Sequence, residues 1–253
     1  MKLESLLQYL DAYLGVPGHP DYPTALNGLQ VEGPDEVRRI AAAVDASERS
    51  IQAAVSAGAD LLLVHHGLFW DGLQPLTGRR MRRIRPLIEH GIGVYSAHLP
   101  LDAHAEVGNC ALLARALGLI PEARFAEYEG LRIGWWGALD TPVDGPGLVL
   151  LLEEALDGAP VRLVAGGPDR VERVGVVTGG GASFVGEAVA LGLDALVTGE
   201  GSHHTYFDAM ELGIHVLFGG HYATETFGVR ALARHVAERF DLEWEFIDQP
   251  TGM

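Results

Sequence analysis

Apolar positions along the chain follow two rhythms: short unbroken runs, and stretches in which they recur every three or four residues. The leucines of Leu3–Leu14 carry the second rhythm and predict an amphipathic helix. A Pro/Gly-rich loop follows at 16–20, and Asn27-Gly28 predicts a tight turn before a short strand. Residues 40–44 read as a buried strand, 47–57 as a helix capped by Ser47, and 60–64 as a strand running straight into His65-His66-Gly67. A helix is expected over 79–90 and a strand over 93–97, which ends in His98-Leu99-Pro100-Leu101-Asp102. Strand, helix, strand in that order predicts a parallel α/β unit. Residues 103–117 continue with helical spacing.

The character changes at 127–140, where 131–137 reads as a strand before a turn-rich segment at 141–147. Beyond it the pattern predicts a helix at 148–156, strands at 161–165 and 174–177, and a glycine-rich turn, Thr178-Gly179-Gly180-Gly181, better read as a tight turn than as a phosphate cradle. A last buried strand at 214–218 meets two glycines, and Thr226–Phe240 is helical. The chain also repeats itself: 40–66 aligns without a gap on 174–200, and Gly91-Ile92-Gly93-Val94 matches Gly213-Ile214-His215-Val216. The expected fold is therefore α/β, with two related lobes of mainly parallel sheet flanked by helices. The lobes are expected at 1–125, with 226–253 returning to the first, and at 126–225, with a site in the cleft between them.

The chemistry gathers where strands end, the usual place for ligands in open parallel sheets. Two successive strands deliver His65, His66, His98 and Asp102, and a third delivers His221, with Glu225 four residues on, so both project from one side of a helical turn. Imidazoles with carboxylates suit zinc, manganese or iron. Adjacent strand residues point to opposite sides, so His65 and His66 are expected to serve two ions. Asp102 and His221 would be terminal ligands and Glu225 a bridge, with ions roughly 3.5–4 Å apart and positions open to water. Open positions favour catalysis over a structural role.

Composition narrows the classes. A formal net charge of −16 disfavours sequence-independent binding to duplex nucleic acid. The local exception, Arg79, Arg80, Arg82, Arg83 and Arg85, reads as a solvated helix face; a phosphate clamp or a subunit contact is the sharper alternative. No apolar run approaches the roughly 20 residues of a membrane span, and the acidic amphipathic start lacks the apolar core of a signal peptide. With one cysteine, Cys110, read as a small core residue, this leads to the expectation of a cytoplasmic protein.

Four motifs follow one another along the chain: Asn27-Gly28-Leu29-Gln30-Val31-Glu32-Gly33, Val64-His65-His66-Gly67, Ser96-Ala97-His98-Leu99-Pro100-Leu101-Asp102, and Gly220-His221-Tyr222-Ala223-Thr224-Glu225-Thr226-Phe227-Gly228. In these the chain resembles the dinuclear-metal proteins called GTP cyclohydrolase I type 2 homologues, also described as the Ngg-interacting-factor-like family. The resemblance implies two divalent ions per subunit held by His65, His66, Asp102, His221 and Glu225, with His98 close by, in a toroidal homohexamer whose sites face an internal cavity. It implies a small-molecule substrate, and opening of the guanine imidazole ring of GTP with release of formate. His98 and His204, with His203, are the residues expected to move protons or to steady the ligands. A two-metal phosphoesterase acting on a nucleotide or other phosphorylated metabolite and a non-enzymatic metal-binding regulatory scaffold are the alternatives.

Overall fold

Helix α1 (Leu3–Leu14) buries Leu3, Leu6, Leu10 and Leu14 along one stripe and stops at Gly15, whose φ of 67° is the left-handed conformation that ends many helices. The computed structural model that shows this describes all 253 residues. Strands β1 (Gly28–Val31), β2 (Arg39–Asp45), β3 (Leu61–His66), β4 (Gly93–Ser96) and β11 (Glu243–Phe246) form one sheet in the order β1-β4-β3-β2-β11. Four of these run parallel, and β1 is an antiparallel edge. β2 and β3 are buried at successive positions, the pattern of strands covered on both faces. On one face, α2 (Glu48–Ala57) and α3 (Gly78–His90) bury Ile51, Ala54, Ile84 and Leu87 against Ala41, Ala43, Leu62 and Val64. Ser47 caps α2 in a reciprocal capping box with Ser50.

A second sheet comprises β5 (Leu119–Tyr128), β6 (Leu131–Val143), β7 (Arg162–Ala165), β8 (Val171–Val177), β9 (Ala195–Thr198) and β10 (His215–Phe218), in the order β5-β6-β8-β9-β10-β7. Its core sets Val174, Val176, Ala195, Val197 and Leu217 against Leu148 and Leu152 of α6 (Gly145–Ala155) and Leu113 of α5 (Asn109–Ala116). Helices α7 (Val185–Ala190), α8 (Thr205–Leu212) and α9 (His221–Thr224) follow β8, β9 and β10 in turn, and α10 (Thr226–Phe240) follows α9. The fold class is α/β, as expected, but this sheet is mixed: only β8, β9 and β10 are mutually parallel, and β5, β6 and β7 join by antiparallel pairing. The helix expected over 103–117 is realised only as α5, with a loop at 103–108 before it, and a short α4 (Leu99–Asp102) precedes that loop.

The chain forms two compact units, Met1–Leu101 with Gly228–Gln249, and Asp102–Phe227 with Pro250–Met253. Residues 102–125, read from the pattern as part of the first lobe, belong to the second unit, where β5 pairs along β6.

The internal repeat holds at the level of single hydrogen bonds. Asp60 Oδ2 accepts the backbone N–H of Arg38 at 2.7 Å and of Arg39 at 3.0 Å; Asp194 Oδ2 accepts those of Glu172 at 2.9 Å and Arg173 at 2.8 Å. Leu61 then pairs with Gly93 in one unit and Ala195 with His215 in the other. That register makes Leu99, the first residue of α4, the counterpart of His221, the first residue of α9. The two His-x-x-x-acid segments are thus offset by one residue, and His98 is the counterpart of Gly220.

Candidate metal centre

In the first unit, β3 carries His65 and His66 to its carboxyl end with β4 on one side and β2 on the other. Each imidazole is tied to a different neighbour. His65 Nδ1 donates to the carbonyl of Ala97, just past β4, at 2.9 Å, and His66 Nδ1 donates to Asp45 Oδ1, the last residue of β2, at 2.9 Å. Carbonyl and carboxylate oxygens only accept, so both Nδ1 atoms carry a proton, and in the neutral ring Nε2 is then the lone-pair atom. Alternation along the strand does not keep the two rings apart. Anchored on opposite sides, they tip over the strand end with centroids 4.6 Å apart.

His98 completes this group. Its Nδ1 donates to Asp21 Oδ1 at 2.7 Å, and its backbone N–H donates to Asn27 Oδ1 at 2.7 Å. Asp21 Oδ2 in turn accepts Asn27 Nδ2 at 2.7 Å and the backbone N–H of Leu99 at 3.0 Å. Burial raises the Asp21 carboxyl, but the hydrogen bond and charge of His98, with Asn27 and Leu99, more than offset this and lower it, so the group is an anion. His65, His66 and His98 each offer a ring nitrogen, all within 4.8 Å of one another. Asn27, read as a turn residue, is therefore part of the bracket around His98. Gln30 is a second bracket: its Oε1 accepts the N–H of Leu68 at 2.7 Å, and a Cβ on Gly67 would lie 2.2 Å from its Nε2.

The second unit has a group of its own, of carboxylates and one imidazole. Glu225, 2% exposed, follows α9, and its Oε2 lies 3.2 Å from His221 Nε2. Glu200 Oε1 accepts from His221 Nδ1 at 2.9 Å. Burial disfavours the imidazolium, yet the hydrogen bond and charge of Glu225, joined by Glu200, outweigh it and raise His221 to about 9. Asp102, 5% exposed, accepts Asn109 Nδ2 at 2.8 Å and Thr178 Oγ1 at 3.3 Å on Oδ1, and brings an oxygen within 4.8 Å of one on Glu225. Thr178 also contacts Cys110 Sγ at 3.4 Å. Burial first, then the Asp102 charge, pushes the Cys110 thiol up to about 12, in keeping with an inert core residue.

The glycine-rich turn after β8 is a wall of this group. Gly179 has φ +62°, and a Cβ there would lie 2.1 Å from Glu225 Oε1 and 3.3 Å from His221 Nε2. Gly199 is as constrained, its absent Cβ falling 2.8 Å from His221 Cα and from the Gly179 carbonyl.

The donor set fits divalent cations. His65, His66 and His221 have Nδ1 held by an acceptor, which presents Nε2 as the ligand atom, and His98 is held in the same way, which presents its Nε2 as a base beside them. His221 stands between two carboxylates, so a cation at Nε2 would replace a proton there and leave the Glu200 bond intact. By contrast His215 has both nitrogens engaged with backbone groups, Nε2 with the Pro168 carbonyl and Nδ1 with the Gly167 N–H, and is purely structural. His203 and His204 are exposed and lie outside these groups. His204 bonds only Ser202 Oγ, and the residue that orients His221 is Glu200. Asp21, Asp45 and Glu200 were not singled out by spacing; each is remote in sequence from the imidazole it holds.

Three arginines of α3 tie the helix to its neighbours, the loop before it and α2. Arg79 pairs with Asp71 at 2.7 Å, Arg80 donates to the Gly72 carbonyl at 2.8 Å, and Arg82 meets both Glu48 oxygens. No helix is long and apolar enough to cross a membrane.

Comparison with known proteins gives a consistent result. A GTP cyclohydrolase 1 type 2 homolog of Deinococcus radiodurans is 44% identical over 250 residues, 99% of this chain and 94% of its own. The homolog of Escherichia coli K12 is 42% identical over 251 residues, 99% of each chain. The solved structure of protein ybgI, described as of unknown function, superposes over 100% of both chains with a TM-score of 0.93 at 40% identity. That of TTHA1606 from Thermus thermophilus also covers 100% of both chains, with a TM-score of 0.87 at 41% identity. The family model for Duf34/NIF3 (NGG1p interacting factor 3) matches residues 1–252, and the chain belongs to that family.

Proposed function

We propose that the protein is a metal-dependent hydrolase carrying two divalent ions per chain, held by His65, His66, Asp102, His221 and Glu225. Zinc, iron and manganese suit these donors. The observation that carries the reading is convergence: all four imidazoles are held through Nδ1, as metal-binding histidines are, and each contributes to a group of donor atoms lying within 4.8 Å of one another. Bound cations would supply a nucleophilic water at neutral pH and polarise the bond it attacks. The chain's own part is then definable. Asp21 holds the His98 proton on Nδ1, so His98 Nε2 is the atom that accepts a proton from the attacking water and returns it to the leaving group. Asp45 and Glu200 keep His66 and His221 in the ligating tautomer, and Asn109 with Thr178 fixes one oxygen of Asp102.

Relatives carrying the name GTP cyclohydrolase 1 type 2 homolog supply the reaction to test first, hydrolytic opening of the guanine imidazole ring of GTP with release of formate. Homo-oligomerisation, as a hexamer, is part of the proposal; exposed Leu73, Leu76 and Ile88 would find cover there. The experiment is GTP incubation with metal-replete protein, quantifying formate and inorganic phosphate, beside Glu225→Ala. Formate release that needs both metal and Glu225 supports the reading. Phosphate in its place makes the protein a phosphoesterase, and neither product denies hydrolysis of GTP.

A further inference from the structure

The second unit holds a cavity of about 720 Å³ that no step above uses. It lies within the size range of small-molecule sites, roughly 300–1,000 Å³. Arg162, Ser202, His203, Tyr206, Phe207 and Phe218 line it. Arg162 and Phe218 are direct cross-strand partners at the β7–β10 pairing, and the guanidinium carbon stands 4.6 Å over the Phe218 ring. Arg162 has no carboxylate partner, in a chain where acidic residues outnumber Lys and Arg by 34 to 18. Phe207 packs edge-to-face with His203 and with Tyr206, at centroid distances of 5.6 and 5.4 Å. Tyr206 and Phe207 are nevertheless 51% and 48% exposed.

Position ties this cavity to the metal ligands. Phe218 ends β10, and Gly219 and Gly220 alone separate it from His221. On the other side, a Cβ on Gly201 would lie 2.7 Å from Phe218 Cε1, so the backbone beside Glu200, the residue that holds His221, packs directly on the cavity floor. A ligand seated here adjoins the loop that carries His221.

We propose that this cavity is a recognition site for a planar aromatic ring bearing an anionic group, the ring stacking among Phe207, Tyr206 and the Arg162 guanidinium, the anion taken by Arg162 with Ser202 and His203. An unpaired, stacked arginine in an aromatic recess is the chemistry of such a ligand. A second copy of the chain, pressed on an apolar face, would leave that charge buried without an acceptor, which is costly. The inference rests on the hydrolase reading for the use made of the ligand, though not for its binding.

The test is calorimetric titration of GMP, guanosine and ribose 5-phosphate into metal-replete wild type, Arg162→Gln and Phe207→Ala, with metal content and solution mass measured on the same samples. Saturable GMP binding is expected, weaker by about tenfold or more in each variant at unchanged metal content and mass. Guanosine and ribose 5-phosphate, each lacking one half of the ligand, are expected to bind at least about tenfold more weakly than GMP. GMP binding undiminished in Arg162→Gln, or absent from wild type, overturns the proposal. So does a change of mass in either variant, which assigns the face to a contact between copies. GMP binding with this pattern but no hydrolysis keeps the pocket and denies the enzyme; formate release with Arg162-independent GMP binding does the reverse.

Discussion

Each imidazole at the candidate centre is held through Nδ1 by an atom that can only accept: Ala97 O for His65, Asp45 for His66, Asp21 for His98 and Glu200 for His221. Removing such a partner frees the ring to turn and to change tautomer. Asp45→Ala is therefore expected to lower metal affinity by roughly 10–100-fold, read by competition with a chromophoric chelator, with the fold intact by circular dichroism. An affinity equal to wild type would show that His66 is not a ligand. His221 adds a pH dependence. Its folded value of about 9 lies above the ordinary imidazole, so in metal-free protein its stabilising contribution is complete below about 6.5 and is lost as pH rises through about 9. Metal binding needs the neutral ring, so the chelator titration should show tighter uptake over that same interval. Affinity flat across it contradicts the assignment of Nε2. Cys110, its thiol pushed up to about 12, should resist alkylation in the native protein near neutral pH and react only on unfolding.

At the level of elements, the centre depends on how closely the turns after β8 and β9 approach α9. Gly179→Ala puts a side chain at φ +62° and against Glu225. It is expected to destabilise the protein by at least about 1 kcal/mol from backbone strain alone, with loss of bound metal, by urea denaturation and elemental analysis. A variant that retains both would remove the turn from the site. The elements that bear ligands were legible because apolar runs break off abruptly into His65-His66, His98 and His221, a local signal. Asp21, Asp45 and Glu200 were not, because each reaches its imidazole from another part of the fold and sits in a stretch with no distinctive spacing. β5 escaped for a different reason. Its middle residues, Ile120–Arg124, are largely exposed, so the strand has no apolar alternation and exists through pairing with β6. The repeat was visible in 40–66 and 174–200, but the one-residue offset between His98 and His221 appears only in the pairing of Leu61 with Gly93 and Ala195 with His215.

For the whole molecule, bound cations would also offset part of the charge of −16, and a ligand that binds only the folded chain stabilises it. Stripping metal with a chelator should lower the melting temperature. At a free metal concentration about 100 times Kd the lost stabilisation is about 2.7 kcal/mol, restored on adding metal back. Two mixed sheets flanked by helices, with His, Asp and Glu gathered past their strand ends, make up the fold, and the Duf34/NIF3 family match and the full-length superposition on ybgI show that fold to be shared. The claim on which the rest depends is that these ends hold metal. Elemental analysis of natively purified protein beside Glu225→Ala measures it most directly. The account predicts about two divalent ions per chain in wild type and a clear loss in the variant. No metal in wild type, and none taken up on reconstitution, would contradict it and leave His65, His66, His98 and His221 as hydrogen-bonded histidines of an α/β core.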